Sequence, residues 1–328
     1  MLTWPHIYGD WQDVPRVEGT FRALARAISQ YQYLLINCYD PIHRQHIEQG
    51  LRNSRAVMDR CRCHVAPSND SWTRDHGPIS IHESGHPKIL DFTFNGWGKY
   101  AHDLDNSITE KLYRAGIFGS ATYTCLDMVL EGGSIESDGE GTLLTTTQCL
   151  CHPNRNPSMS REDIDAHLRE NLGIDRILWL DHGQVSGDDT DGHIDMLARF
   201  CDPNTIAYHS CEDADDADFA SLQAMTEQLQ TFRDRSGEPY RLVRLPAPSL
   251  HQDATGRRLP ASYANFLIIN GAVLVPQYAD PADPVALETI ANCFPDREVV
   301  GIDCRPLIEQ GGSLHCVTMQ LPKGVLAA

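Results

Sequence analysis

Apolar residues recur at helical spacing in six stretches, residues 17–30, 41–53, 104–115, 160–172, 217–232 and 284–293, and a strand-like run follows each of them. Start signals reinforce the pattern. Ser160-Arg161-Glu162-Asp163 has the form of a capping box, and Asp280-Pro281-Ala282-Asp283-Pro284 supplies an acidic, proline-marked entry to the last helix. Helix-then-strand alternation over the whole length predicts an α/β protein. The most apolar segment, Phe266 to Pro276, is interrupted by Asn270-Gly271 and falls short of the about 20 residues a membrane helix needs, so it reads as buried strand. No low-complexity or Pro/Ser-rich linker divides the chain, and the acidic run from Glu212 to Asp218 leads directly into a helical pattern. A single domain spanning residues 1–328 is therefore expected.

Charge narrows the partners. With 27 Lys plus Arg against 45 Asp plus Glu, the formal net charge is -18, which disfavours nucleic acid and anionic lipid surfaces and favours small cationic ligands. The same surplus also keeps a protein soluble, so it does not by itself define a ligand. Met1-Leu2-Thr3-Trp4-Pro5-His6 lacks a basic region followed by an apolar run, so no secretory signal is read and a cytoplasmic location is expected. Neither Cys61-Arg62-Cys63 nor Cys149-Leu150-Cys151 has the spacing of common zinc or redox motifs, and the 11 cysteines fit reduced thiols.

Four segments carry the candidate chemistry: Trp72-Thr73-Arg74-Asp75-His76-Gly77-Pro78, Leu130-Glu131-Gly132-Gly133, Gly187 to Asp195, and Gly311-Gly312-Ser313-Leu314-His315-Cys316. Cys316, just after a paired-glycine turn, is the leading nucleophile candidate, provided that the fold supplies a base and a reason for its pKa to fall. If residues 191–195 are extended, Asp191, His193 and Asp195 share a face, and carboxylates beside His193 favour its protonated form. Glu131 could orient that imidazole, while Asp75 and Asp195 could grip the two edges of a planar guanidinium. A guanidinium so held presents its central carbon to Cys316, and its charge favours the thiolate. His315 adjoins Cys316, but neighbours on an extended strand face opposite ways, which favours His193 as the base. Taken singly, each residue has a plainer reading: Cys316 as a buried thiol, His193 as a core histidine, the glycines as turns. The echo between residues 130–135 and 309–314 hints at repeated units.

Taken jointly, these segments, with Phe94-Asn95-Gly96-Trp97-Gly98, Asn154-Arg155-Asn156-Pro157 and Ala261-Ser262-Tyr263-Ala264-Asn265-Phe266, resemble the agmatine deiminase family in register from Trp4 almost to the carboxyl terminus. That family is related to the bacterial type of peptidyl-arginine deiminase. The resemblance implies a pentein fold, a five-bladed α/β propeller with pseudo-fivefold symmetry. It further implies that Cys316 attacks the guanidinium carbon, that His193 shuttles protons beside Glu131, that Asp75 and Asp195 hold the guanidinium nitrogens, and that Trp72, Asp189 and Gly312 contact substrate. Ammonia then leaves from a covalent thiouronium, and water releases a ureido product, with no metal or organic cofactor required. The expected activity is agmatine hydrolysis to N-carbamoylputrescine in polyamine synthesis, with a homodimer or larger assembly plausible from the relatives.

Departures from the family pattern bear on that expectation. The family generally carries a Pro-Ala-Glu-Trp-like segment ahead of the Trp-Pro strand, whereas this sequence starts almost at Trp4-Pro5, which could weaken the first blade or open the pocket. Asp191 stands where Asn is usual and His76 where Thr is common, and the extra acid beside the site could retain a cation or shift pH dependence. Other readings stay open: a deiminase of free or peptidyl arginine, for which Arg155 or Arg305 could hold the carboxylate; a metallohydrolase using Asp188, Asp189, Asp191, His193 and Asp195; and a propeller that binds a polyamine without turnover.

Overall fold

The computed structural model describes residues 1–326. The predicted helices form where their caps place them. α1 (Val14–Tyr31) starts at Asp13, whose side chain accepts the Arg16 N–H, with Pro15 in its first turn; Val17, Phe21, Leu24, Ala25 and Ile28 form its buried stripe. α2 (Pro41–Asn53) repeats the device with Asp40 and Pro41. These helices alternate with β1 (Leu2–Thr3), β2 (Leu34–Cys38) and β3 (Cys61–Val65), which pair parallel in that order.

The remaining sheets share one plan, an antiparallel hairpin, a helical crossover, and a third strand parallel to the second. After the one-turn α3 (Thr73–His76), the second sheet comprises β4 (Ile79–Glu83), β5 (His86–Thr93) and β6 (Thr122–Val129), with α4 (Ile108–Arg114) in the crossover. The third has β7 (Ile135–Ser137), β8 (Thr142–Thr146) and β9 (Arg176–Leu180), bridged by α5 (Thr147–Leu150) and α6 (Arg161–Leu172). The fourth has β10 (Ala198–Asp202), β11 (Thr205–His209) and β12 (Arg241–Leu245) with α7 (Phe219–Thr231), and the fifth β13 (Leu267–Ile269), β14 (Ala272–Gln277) and β15 (Glu298–Asp303) with α8 (Asp283–Cys293). The last short helix is α9 (Arg305–Ile308).

The middle strands β2, β8 and β11 are buried at every position, polar residues such as Asn37 and His209 included. The expected buried segment 266–276 is the β13–β14 hairpin, and Asn270-Gly271 is its turn, with Gly271 at φ 71°. The Ser160–Asp163 capping box is present, and α6 ends on left-handed Gly173. All 11 cysteines are free thiols.

By contact the chain divides into two compact units. One holds Met1–Gly132 and the carboxyl-terminal segment from Cys316. Its core gathers Met1, Leu35, Ile89, Ile108, Leu112, Phe118 and Met319, each worth about 1.5–3 kcal/mol when fully removed from water. Met1 is tied to Met319 by a 2.6 Å ammonium-to-carbonyl bond, and Leu2 bridges Thr318, so the last segment is built into the first sheet. The other unit is Gly133–His315. There a buried ion pair, Arg199 Nε to Glu136 Oε2 at 2.6 Å, also delivers Arg199 N–H groups to the carbonyls of Ala264 and Phe266.

Candidate active site

Every candidate residue lies in a connection that leads into the first strand of a sheet or, for Gly312 and Cys316, into the Thr318 bridge. Asp75 precedes β4, Glu131 precedes β7, His193 and Asp195 precede β10. Loops there are free of ladder hydrogen bonds, so their side chains can be aimed independently of the sheets.

In the first unit, the motif at 72–78 folds as the single turn α3. Trp72 is buried, donates Nε1–H to Asp70 Oδ2 at 3.0 Å, and packs its ring 5.4 Å from that of Trp11. Burial pushes the Asp70 carboxyl up to about 6. Asp75 is buried and accepts a 3.1 Å hydrogen bond from Trp97 Nε1. That indole is delivered by an unusual backbone: Trp97 has φ 55° between Gly96 at 61° and Gly98 at 72°. A left-handed tryptophan is costly unless its surroundings fix it, and here Phe94 meets its ring edge-on at 5.1 Å.

Cys316 is held by its backbone, since its carbonyl accepts the Arg74 N–H at 3.0 Å, and its side chain is 5% exposed. Arg74 reaches the same segment with its side chain, donating to Met319 Sδ and Gln320. Glu131 is fully buried, and the following Gly132 lies so close to α3 that a Cβ there would sit 2.4 Å from the Arg74 carbonyl oxygen. Arg74 thus gathers three of the candidates, Asp75, Glu131 and Cys316, around one short turn.

In the second unit, residues 188–195 are not extended. Asp188 accepts the Thr190 N–H at 3.0 Å, its hydroxyl at 2.6 Å and the Gly192 N–H at 3.1 Å, closing a turn in which Asp191 has φ 65° and Gly192 φ 91°. His193 follows, buried, and Asp195 occupies a 3-10 turn, Ile194–Met196. The alternation expected for Asp191, His193 and Asp195 is replaced by this local hydrogen bonding. Asp191 turns to Arg155, which also donates to the Thr190 carbonyl at 2.8 Å. Asp195 is fully buried, and its Oδ2 lies 2.8 Å from His315 Nδ1. The stretch 314–317 is likewise a turn rather than a strand, so the opposite-face argument does not apply to His315. Half-buried Asp189 lies against Gly311, where a Cβ would meet its Oδ1 at 3.2 Å and where φ is 90°; Gly312 is buried beside it.

A family model described as Porphyromonas-type peptidyl-arginine deiminase matches residues 1–322. The chain belongs to that family. The agmatine deiminase of Stutzerimonas stutzeri is 36% identical over 98% of this chain and 92% of that one. A candidate arginine deiminase of Porphyromonas gingivalis superposes with TM-score 0.94 at 50% identity, covering 99% of this chain and 96% of its own. The substrate-bound cysteine-to-serine variant of the C. jejuni agmatine deiminase gives TM-score 0.88 at 37% identity, over 97% and 91%. The mixed α/β fold is therefore that of the solved deiminases of this family.

Within this deiminase family member, the extra acid at Asp191 is neutralised, and His76 adds no charge. Asp191 is paired with the buried Arg155, and burial holds His76 down to about 3, an uncharged ring packed against Phe94. The metal-ligand set proposed for 188–195 does not converge: Asp188 closes its own turn, Asp191 takes Arg155, Asp195 takes His315, and among the described residues no three donors of this segment come within ligand distance of one another. Sequence reasoning gave no role to Trp97, Asn265 or His315. Trp97 and Asn265 lie in motifs already noted, but their significance depends on Asp75 and Asp195 across 22 and 70 residues, a separation no periodicity reveals.

Proposed function

We propose that this protein is a hydrolase of linear amidines that converts agmatine and water to N-carbamoylputrescine and ammonia. The Cys316 thiolate attacks the guanidinium carbon, ammonia departs after protonation by His193, and water activated by the same imidazole attacks the S-amidino carbon to release the ureido product and the thiol. Glu131 orients His193, Asp75 and Asp195 hold the guanidinium nitrogens by charge-assisted hydrogen bonds, and Trp72, Asp189 and Gly312 contact the rest of the substrate. The five sheets form the blades of a pentein propeller acting as one catalytic domain. A cytoplasmic place in polyamine synthesis suits this chemistry; no described helix is long and apolar enough to cross a membrane.

The observation that carries the choice of agmatine is the engagement of both guanidiniums offered for a substrate carboxylate. Arg155 pairs with Asp191, and Arg305 pairs with Asp303 at 2.7 Å. Agmatine has no carboxylate to be met. Free arginine is the second reading, favoured by the 50% identity to the Porphyromonas gingivalis candidate arginine deiminase.

Ammonia and ureido-product release from agmatine, arginine and a peptide ending in arginine, with wild type and Cys316→Ala, with and without chelator, tests the proposal. Agmatine turnover that disappears in the variant and ignores chelator is expected. Preference for arginine would move the assignment to the second reading, chelator-sensitive turnover surviving in Cys316→Ala would favour the metallohydrolase, and absence of turnover by folded wild type would leave a binding protein.

A further inference from the structure

We infer that His315 is a positioning residue for Asp195, and that Asn265 locks the two together. This rests on the reading in which Asp195 grips a guanidinium. His315 and Asp195 are both buried, at 2% and 0% exposure, and the 2.8 Å contact between Nδ1 and Oδ2 requires a proton on Nδ1 when the carboxylate is ionised. Asn265 fixes both backbones: its Oδ1 accepts the His315 N–H at 2.7 Å, and its Nδ2 donates to the Asp195 carbonyl at 3.3 Å. Asn265 itself stands between the two carbonyls clamped by Arg199. Around it, Ser262 Oγ donates to the Met196 carbonyl at 2.7 Å, and Tyr278 OH contacts Ser313 Oγ at 2.9 Å.

The consequence is directional. A carboxylate free to rotate about its Cβ–Cγ bond presents its oxygens in any plane, whereas one bonded through Oδ2 to a fixed imidazole presents Oδ1 in a set plane. A planar guanidinium needs that plane defined. His315 and Asn265 therefore set the orientation of the acid within the second unit.

The test compares His315→Phe, which fills the ring volume without the Nδ1 donor, with His315→Asn, whose Nδ2 falls near the Nδ1 position. His315→Gln, whose amide reaches past that position, replaces the Phe variant if the latter does not fold. In each full-length protein the rate of Cys316 alkylation by cationic 2-chloroacetamidine is divided by the rate with neutral 2-chloroacetamide, and kcat/KM for agmatine is measured alongside. The Phe variant is expected to lose about tenfold or more in both the ratio and kcat/KM, the scale set by one hydrogen bond to a charged group, and the Asn variant to stay within about threefold of wild type. General damage would slow both reagents together. An unchanged ratio in the Phe variant, equal slowing by both reagents, or identical behaviour of Phe and Asn variants would each overturn the inference. Wild type that shows the amidinium preference but turns over no guanidine would refute the proposed function and leave the positioning role standing.

Discussion

Replacing Gly132 by Ala should separate the chemistry from the fold. The added methyl meets the Arg74 carbonyl oxygen at 2.4 Å, Met319 Cε at 2.7 Å and Arg74 Cδ at 3.3 Å. Ordinary contacts of this kind begin near 3.4 Å, so about 1 Å of separation has to be found. The methionine can swing away, but the carbonyl belongs to α3, whose Arg74 N–H holds the Cys316 carbonyl at 3.0 Å. Overpacking of this sort costs about 1–3 kcal/mol. Weakening the buried hydrogen bond to Cys316 adds about 1–3 kcal/mol. Together these remove about 2–6 kcal/mol, which a protein near the middle of the usual range of about 5–15 kcal/mol survives mostly folded. A displacement of 1 Å at a nucleophile is of the size that lowers turnover by about 10²-fold. The expected result is therefore a lower urea midpoint with near-native circular dichroism at rest, and a fall in kcat for agmatine of about two orders of magnitude. Adding Met319→Ala relieves the sulfur-side contact alone and should recover only part of the stability. Wild-type kcat in Gly132→Ala, or full recovery in the double variant, would refute the argument that backbone contact with α3 controls Cys316.

Trp97→Phe keeps most of the buried ring and removes the donor to Asp75, a loss of about 1.5–3 kcal/mol, so kcat/KM for agmatine should drop about 10- to 100-fold; a change under about twofold would show that Asp75 is set by other contacts. Arg155→Met removes the buried guanidinium paired with Asp191 and should lower stability in urea unfolding by about 1–3 kcal/mol, with Asp191→Asn in the same chain restoring part of it; no recovery would place the cost in lost packing instead. Asp105 gives the pH prediction. Burial raises its carboxyl to about 8, while an unfolded aspartate titrates near 4, so the native state holds the extra proton between those values. Its contribution is full below about pH 4 and is lost as pH rises through about 8, with a slope near 1.4 kcal/mol per unit. Asp105→Asn cannot ionise, so its urea stability should gain on wild type progressively from pH 5 to 8, and parallel profiles for the two proteins would contradict the assignment.

What the sequence disclosed depended on how local the determinant is. Asp13-Val14-Pro15, Asp40-Pro41 and Ser160 to Asp163 are complete helix starts within three or four residues, and α1, α2 and α6 begin where those signals stand. The expected helix at 104–115 instead opens with a 3-10 turn, Asp105–Ser107, because Asp105 turns its carboxyl group back to accept from the Asn69 and Asp70 N–H groups. A shared face for Asp191, His193 and Asp195 requires an extended segment, and opposite faces for His315 and Cys316 require a strand, yet the conformation at both places comes from Asp188 capping its own loop and from Asn265 gripping His315. The second of these spans 50 residues and leaves no imprint on neighbouring positions. The same holds for Trp97, whose left-handed backbone is foreshadowed by its flanking glycines but whose partner, Asp75, is not.

The placement of the candidate groups at sheet entrances has an evolutionary corollary. Strand interiors carry the pairing information and entry loops carry the reactive groups, so the two can drift independently. A lineage can exchange an acid, an imidazole or a thiol at one entrance without renegotiating any ladder, and can revise a ladder without touching a reactive group. Sheets of like plan can then carry different groups at their entrances, each gained or lost in a single, separately tolerable step.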